Sequence, residues 1–265
     1  MVVSQKVMGI LNVTMDSFYD KERFHSFEKA VEHGIQLYQE GADWIDVGGE
    51  STRPGAETIP EEEELKRTIP VIKELKNQIP VPLSIDTMKP RVAEAALNAG
   101  ATLINDVTGF RHPDMVKLAA ERDVDICVMH MLGTPANMQC DPHYPNGIVQ
   151  ELLAWFQEKV ENLLSAGIKK ERIILDPGIG FGKTIADNLQ ILQNLQRFKA
   201  MEFPLLIGLS RKSFMGKIIH KPAADLLPTT IAMNTIALLA DVDIIRVHDV
   251  AVHRDVVDML GQFGK

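Results

Sequence analysis

Short apolar runs alternate with longer amphipathic segments along the whole chain. The runs are rich in β-branched residues and stop at Gly, Pro or polar clusters, as buried parallel strands do. Between them lie segments with helix-like spacing of apolar positions, several of which open with Pro or Asp and close with Gly. The eight apolar runs begin at Val7, Trp44, Pro82, Leu103, Asp125, Ile173, Pro204 and Ile244. Eight strand–helix alternations predict one α/β domain over residues 1–265, a (β/α)₈ TIM barrel, with a doubly wound open sheet as the alternative.

Three connections after predicted strands are unusually long. They run from Thr14 to Ser26, from Glu50 to Glu61 and from Met131 to Asn146. Long loops in a compact domain are more often lids or binding loops than passive connectors. We therefore expect these three segments to border a site.

Polar side chains stand at the ends of nearly all predicted strands, where a barrel enzyme carries its site. A single Asp or Asn in such a place is more often a helix cap or turn former. Six or more at one rim favour a functional site instead. Strand alternation places Arg246 and His248 on one face, and it aligns Ser84 with Asp86. The strand-end residues are Asn12, Asp86, Asn105, Asp106, His130, Asp176, Lys212, Arg246 and His248.

The stretch "DPGIGFGKT", residues 176–184, superficially matches a phosphate-binding loop. The pattern G-x-x-x-x-G-K-[ST] requires glycine at position 177, where this chain has Pro177. The dinucleotide pattern G-x-G-x-x-G also fails, because the three glycines alternate strictly. This turn is therefore not predicted to cradle phosphates.

Charge and composition narrow the classes of partner. A formal net charge of −8 argues against non-specific nucleic-acid binding, although a few cations in a cleft can still hold an anion. Two cysteines, Cys127 and Cys140, are too few for a disulfide framework and indicate a reducing cytoplasm. No signal peptide is expected, and the longest apolar stretch, residues 231–240, is too short to span a bilayer.

Eight ordered motifs resemble those of the dihydropteroate synthase family over essentially the whole chain. They are "GILNVTMDSFYD", "DVGGESTRPGA", "SIDTMKPRVAEAAL", "INDVTG", "MHMLGTPANMQ", "LDPGIGFGKT", "GLSRKSF" and "RVHDV". The resemblance implies a (β/α)₈ barrel that joins 6-hydroxymethyl-7,8-dihydropterin pyrophosphate to p-aminobenzoate, with release of pyrophosphate. It also implies Mg²⁺ as cofactor, a homodimer, and sulfonamides that compete with p-aminobenzoate.

The resemblance assigns roles to individual residues. Pterin is expected at Asp86, Asn105, Asp176 and Lys212, and Asp86, Asp176 and Lys212 are also the expected catalytic residues. Pyrophosphate is expected at Thr52, Arg53, Arg246 and His248, with Asn12 contributing to the Mg²⁺ site. The p-aminobenzoate contacts are expected at Phe18, Pro54, Phe181, Lys212 and Ser213.

Three other functions stand as rivals. A pterin-binding methyltransfer domain shares the barrel and the pterin contacts, but it has no use for Arg53, for Lys212 or for the pair of Arg246 and His248. A barrel aldolase would use Lys212 as a Schiff-base lysine, and a non-catalytic relative would have lost one of these groups. The first long loop departs from the usual family pattern at Met15, Tyr19 and Lys21.

Overall fold

Eight parallel strands form one sheet in the computed structural model, which describes residues 5–13, 20–53 and 55–263, with backbone alone for 20–25. The order along the sheet is β6-β5-β4-β3-β2-β1-β8-β7, and a parallel bridge from Leu175 to Leu205 joins its two edges. The predicted TIM barrel is therefore confirmed. The strands are β1 (Lys6–Asn12), β2 (Trp44–Gly48), β3 (Leu83–Asp86), β4 (Leu103–Asp106), β5 (Asp125–Met129), β6 (Ile173–Asp176), β7 (Leu206–Ile207) and β8 (Ile244–Val247).

Helices separate the strands along the chain, and local sequence signals set several of their ends. Proline occupies the first turn of α3 and α4, where its missing N–H costs nothing. Gly100 ends α3 in the left-handed region at φ 115°, and Thr184 with Asp187 forms a capping box on α6. The helices are α1 (Asp20–Gln39), α2 (Glu61–Gln78), α3 (Pro90–Ala99), α4 (Pro113–Arg122), α5 (Ile148–Ser165), α6 (Ile185–Gln193), α7 (Leu195–Lys199), α8 (Ser213–Ile219), α9 (Leu227–Leu239) and α10 (Val250–Gln262).

Apolar side chains pack in two places, inside the barrel and between the barrel and its helices. The inner cluster stacks residues from alternate positions of the strands: Met8, Trp44, Leu103, Cys127, Ile174, Leu206 and Ile244. Cys127 is thus a buried packing residue with a free thiol. The large outer layer includes fully buried Phe156 and Phe198, each of which contributes about 1.5–3 kcal/mol by leaving water. The inner cluster fills the barrel below its carboxyl-terminal mouth.

Two of the three predicted long connections are confirmed. Residues 49–60 follow β2, and residues 130–147 follow β5. The prediction for the first connection was too long, because α1 already begins at Asp20. Its first turns carry Lys, Glu and Arg, which favour helix although no apolar stripe marks them. Residues 14–19 lie outside the described residues.

In the described part of the chain, none of the helices combines the length and the apolar character that a membrane crossing requires.

Candidate active site

A hydrogen-bonded cluster centred on Asp46 ties four strands together inside the barrel. Asp46, on β2, is fully buried. Its Oδ2 accepts from Arg246 Nε of β8 at 2.6 Å and from Asn105 Nδ2 of β4 at 2.9 Å. The hydroxyl of Ser84, on β3, donates to its Oδ1. Arg246 also donates from Nη2 to Asp86 Oδ2 at 2.7 Å, so one guanidinium bridges two carboxylates.

This cluster carries an excess of negative charge. Arg246 is one cation shared by two carboxyl groups, so the three groups sum to one negative charge when both carboxyl groups are ionised. Burial raises the pKa of Asp86 to about 7, with Arg246 opposing the rise and Asp46 adding to it. Burial alone would lower the pKa of Arg246, but the carboxylates of Asp46 and Asp86 raise it overall. The site is therefore electrostatically suited to a ligand that presents N–H groups or positive charge.

Three acceptor oxygens at this end of the barrel have no partner among the described residues. The buried Oδ1 of Asp86 is one of them. In Asn105 the amide nitrogen is bound to Asp46, which leaves Oδ1 as the free acceptor. In Asp176 the Gly178 N–H occupies Oδ1 at 2.7 Å, which leaves Oδ2. An unpaired buried acceptor costs about 1–3 kcal/mol, so a ligand donor that meets Asp86 Oδ1 gains that much.

Lys212 adds a cation near these acceptors. Burial lowers the pKa of its ammonium to about 8, and the neighbouring Asp176 carboxylate opposes that shift. Its Nζ lies 4.2 Å from the centre of the Phe181 ring, a cation–π distance. Lys212 and Phe181, both expected at p-aminobenzoate, are therefore in contact, and their shared role stays a prediction.

The glycine-rich turn after β6 is packed and internally bonded. A Cβ at Gly178 would lie 2.0 Å from the carbonyl oxygen of His130, so only glycine fits there at φ 68°. The N–H groups of the turn donate within the protein, from Gly178 to Asp176, from Gly180 to Asn188 and from Phe181 to Gly178 O. Because these donors are taken, the turn does not cradle phosphate, as predicted.

The predicted anion-binding residues differ in their charge and exposure. Arg53 is exposed but close enough that its charge lowers the pKa of both Lys212 and His248. Burial, with Arg246 nearby, lowers the pKa of His248 to about 4. The His248 ring is therefore neutral at pH 7, and its Nδ1 lies 2.9 Å from Ser210 Oγ. Arg246 is a cation, but two carboxylates already share it.

The remaining predicted residues occupy the rim of the barrel. Asn12 is exposed at the last position of β1, and Thr52 is half-buried in the loop after β2. Ser213 is exposed at the first position of α8, directly after Lys212. Phe18 and Pro54 lie outside the described residues.

Sequence reasoning missed two residues that organise the site. Asp46 shares a face with Trp44, which packs inside the barrel, so strand phase could have placed it there. Lys183 was treated only as part of a failed phosphate-loop pattern, yet it is 3% exposed and bonded to His130. Asp106, by contrast, accepts from the Thr108 and Phe110 N–H groups and is a turn former, the structural role weighed for it.

Comparison with known proteins agrees with this geometry. The model of the pterin binding enzyme family matches residues 8–248. A dihydropteroate synthase of Haemophilus influenzae is 43% identical over 252 residues, which are 95% of this chain and 91% of that relative. The dihydropteroate synthase of Yersinia pestis in a sulfonamide drug complex superposes with a TM-score of 0.93 at 40% identity, covering 99% of this chain and 96% of the other.

A third comparison concerns a structure that contains a pterin product. The dihydropteroate synthase of Xanthomonas albilineans in complex with 7,8-dihydropteroate gives a TM-score of 0.87 at 39% identity, covering 98% of this chain and 93% of the other. Fold and site therefore define a pterin-binding enzyme of the barrel type. Within that class, the chain belongs to the dihydropteroate synthase family.

Proposed function

We propose that this enzyme condenses 6-hydroxymethyl-7,8-dihydropterin pyrophosphate with p-aminobenzoate to give 7,8-dihydropteroate and pyrophosphate. Family membership supports the reaction. The observation that carries it is the set of unused acceptors on Asp86, Asn105 and Asp176, which all lie at the carboxyl ends of barrel strands. A 7,8-dihydropterin presents ring N–H groups and an exocyclic amine along its edges, and these donors match those acceptors.

The pterin binds with its donors toward the carboxylates. Asp176 accepts from the ring N–H and the adjacent amine, Asp86 from a ring N–H on the other side, and Asn105 from the neighbouring edge. Lys212 donates to the pterin acceptors. Because the N–H donors stabilise the ionised carboxylate, binding draws the proton off Asp86, whose pKa in the empty site is about 7.

In the reaction the methylene carbon loses its bond to the pyrophosphate oxygen and gains a bond to the amine nitrogen. Positive charge develops on the pterinylmethyl group as the C–O bond breaks, and Asp86 and Asp176 stabilise it. The aromatic amine gives up one proton after attack, while the electron pair of the C–O bond leaves with pyrophosphate. No covalent enzyme intermediate is needed, because the amine nitrogen attacks the methylene carbon directly.

Arg53, with Thr52, binds the leaving pyrophosphate at the rim, and His248 contributes a neutral N–H donor. Arg246 serves mainly to hold Asp46 and Asp86, so its share in anion binding is smaller than the resemblance implies. Asn12 fits Mg²⁺, because it is exposed at the rim and its amide oxygen is a hard ligand. Among the described residues, no three or more His, Cys, Asp or Glu side chains form a cluster suited to a metal, and Asn12 is the residue that would hold the ion. The ion, when bound, neutralises charge on the leaving pyrophosphate.

The second substrate, p-aminobenzoate, lies beside Phe181 and Lys212, with Ser213 at its carboxylate. The ammonium over the Phe181 ring brings a cation and an aromatic face to one place, which suits an aromatic carboxylate. Phe18 and Pro54 complete this subsite as predictions. Sulfonamides, which resemble p-aminobenzoate, would compete there.

The enzyme acts as a cytoplasmic homodimer. Large apolar side chains are exposed on the neighbouring helices α9 and α10, including Ile236 and Leu239 on α9 and Met259 on α10. Exposed large apolar side chains on adjacent helices are typical of subunit interfaces. Light scattering should give a dimer for the wild type and a monomer for Leu239→Glu; an unchanged mass would place the interface elsewhere. Both cysteines are free thiols, which supports the cytoplasmic location.

The donor-edge argument can be tested by calorimetry with two ligands. 6-Hydroxymethyl-pterin presents the exocyclic amine, whereas the corresponding lumazine has a carbonyl oxygen in its place. A carbonyl oxygen that faces the Asp176 carboxylate places one acceptor against another, with no hydrogen between them. The lumazine should therefore bind at least about 100-fold more weakly than the pterin. Equal affinity for both ligands would show that Asp176 does not read this edge.

A further inference from the structure

The glycine-rich turn lies directly against the end of β5. A Cβ at Gly182 would lie 2.5 Å from the Leu132 Cβ, and the Gly178 position is closed by the His130 carbonyl oxygen. The turn carries Phe181, whose half-buried ring packs against the methionine cluster that includes Met129. The position of that ring therefore depends on how the turn is held against the segment after β5.

Lys183 joins these two segments through a single buried ammonium. Its Nζ donates to the carbonyl oxygens of Phe181 at 3.0 Å and of His130 at 3.3 Å. The same nitrogen lies 3.0 Å from His130 Nδ1. All three donors of the ammonium thus have an acceptor, which is the condition for burying it.

The acceptor on His130 is fixed by its surroundings. Burial, with the Lys183 charge beside it, lowers the pKa of His130 to about 2, so the ring is neutral. Since Nδ1 accepts from Lys183, the ring proton is on Nε2. The ring also packs edge-on against Trp155, with centroids 5.0 Å apart at 88°. His130 is thus a rigid anchor for the lysine.

Lys183 is 3% exposed and does not reach the open part of the pocket. Burial is costly for it, since it lowers the pKa of the ammonium to about 7. An apolar side chain of the same length would fill this space without that cost. The cost of burying the Lys183 ammonium is explained if its hydrogen bonds set the geometry of the turn.

We propose that Lys183 is a positioning residue, which fixes the Phe181 ring opposite Lys212 by cross-linking the glycine-rich turn to the end of β5, and so shapes the p-aminobenzoate subsite. This inference rests on the proposed function, because the subsite is defined there. The pterin acceptors on Asp86 and Asn105 lie on other strands, and Asp176 is the last residue of β6, where the Gly178 N–H holds it independently of Lys183. The cross-link should therefore affect the second substrate much more than the first.

The test uses Lys183→Met, which keeps the length of the side chain and removes its donors. Its KM for p-aminobenzoate should rise at least about tenfold, the effect of losing one to two hydrogen bonds. The dissociation constant for the pterin pyrophosphate should stay within about twofold of the wild type. If both substrates weaken equally, or neither does, the proposal is overturned.

Tyr144→Phe is the matched control. The Tyr144 hydroxyl donates to Gly182 O of the same turn at 2.7 Å, but it has no bond to Phe181. The KM of this variant should change by less than about twofold. An effect as large as that of Lys183→Met would mean that any loosening of the turn suffices, which contradicts a specific role for Lys183. Should Lys183→Met not fold, Lys183→Gln, which keeps one donor, takes its place in the same comparison.

A second readout needs no substrate. In ¹⁵N-labelled protein the Nδ1 resonance of His130 reports its hydrogen bond to Lys183, so it should shift in Lys183→Met and stay in Tyr144→Phe. An unmoved resonance in Lys183→Met would show that the cross-link does not exist. If the wild type makes no dihydropteroate, the proposed function fails, whereas this resonance still decides whether Lys183 holds the turn.

Discussion

Replacing Asp46 by Asn tests whether this fully buried side chain controls pterin binding through the residues that it holds in place. The carboxylate accepts three hydrogen bonds, from Ser84, Asn105 and Arg246. An amide at this position keeps its shape, and Ser84 can accept from the new NH₂ group because a hydroxyl is both donor and acceptor. The amide oxygen can then still accept from the other two. The substitution therefore removes the charge while it preserves most of the geometry.

Two opposing effects set the magnitude. Changing a charge-assisted bond with Arg246 into a neutral one weakens it by about 1–2 kcal/mol, which loosens Arg246 and Asn105. In the other direction, the Asp46 charge is one of the causes that raise the pKa of Asp86, so its removal lowers that pKa. Above pH 7 Asp86 is already ionised, and the loss of positioning dominates. Below pH 7 easier ionisation of Asp86 compensates part of that loss.

Calorimetry with a pterin that lacks phosphates separates these effects. At pH 8 the variant should bind about 5- to 30-fold more weakly than the wild type. At pH 6 the difference between the two proteins should be smaller, because Asp86 has a lower pKa in the variant. The affinity of the variant therefore begins to fall at a lower pH than that of the wild type. Ser84→Ala is the control, since it removes a hydrogen bond to Asp46 and keeps the charge. Equal affinity at pH 8, or a pH dependence identical to the wild type, would refute the role given to Asp46.

Three further predictions concern the substrates. In the wild type, pterin affinity should be highest above pH 7 and should fall about tenfold per pH unit below it. The pKa of Asp86 is raised to about 7, so this acceptor becomes protonated as the pH falls through that value. A flat calorimetric profile from pH 5 to 8 would contradict this. Asp176→Asn should cost roughly 2–5 kcal/mol of pterin binding in the same titration, and unchanged affinity would remove Asp176 from the site. Binding should be ordered, with the pterin pyrophosphate first, because Arg53 is exposed and a bound anion would order its loop. In calorimetry, p-aminobenzoate should give little heat with empty enzyme and a clear signal with pyrophosphate, Mg²⁺ and a pterin. Equal heats would indicate a preformed subsite.

The barrel was predictable because each strand and helix carries its own periodic signal. Strand phase also placed Arg246 correctly, since period-two alternation puts it on the inner face with Ile244. Its partners were not predictable, because Asp46 lies 200 positions away in sequence and strand phase gives no register across the barrel. That pairing is why a residue expected at pyrophosphate is found between two carboxylates.

The charge states of the site residues could not be predicted from the sequence either. The pKa of an ordinary histidine is about 6.5, and burial beside Arg246 lowers the pKa of His248 to about 4. The sequence does not show that the ring stays neutral in mildly acidic solution. The role of Lys183 was hidden for a related reason. In the pattern "GFGKT" a lysine suggests an exposed phosphate ligand, whereas packing turns it inward to His130.

Product formation tests the central claim most directly. The wild-type enzyme is incubated with 6-hydroxymethyl-7,8-dihydropterin pyrophosphate, p-aminobenzoate and Mg²⁺, and dihydropteroate and pyrophosphate are measured together, with Asp176→Asn as the matched variant. We predict equal amounts of the two products from the wild type, formed only when both substrates are present, and a much lower rate from the variant. Pyrophosphate release without dihydropteroate, or no turnover despite pterin binding, would contradict the account.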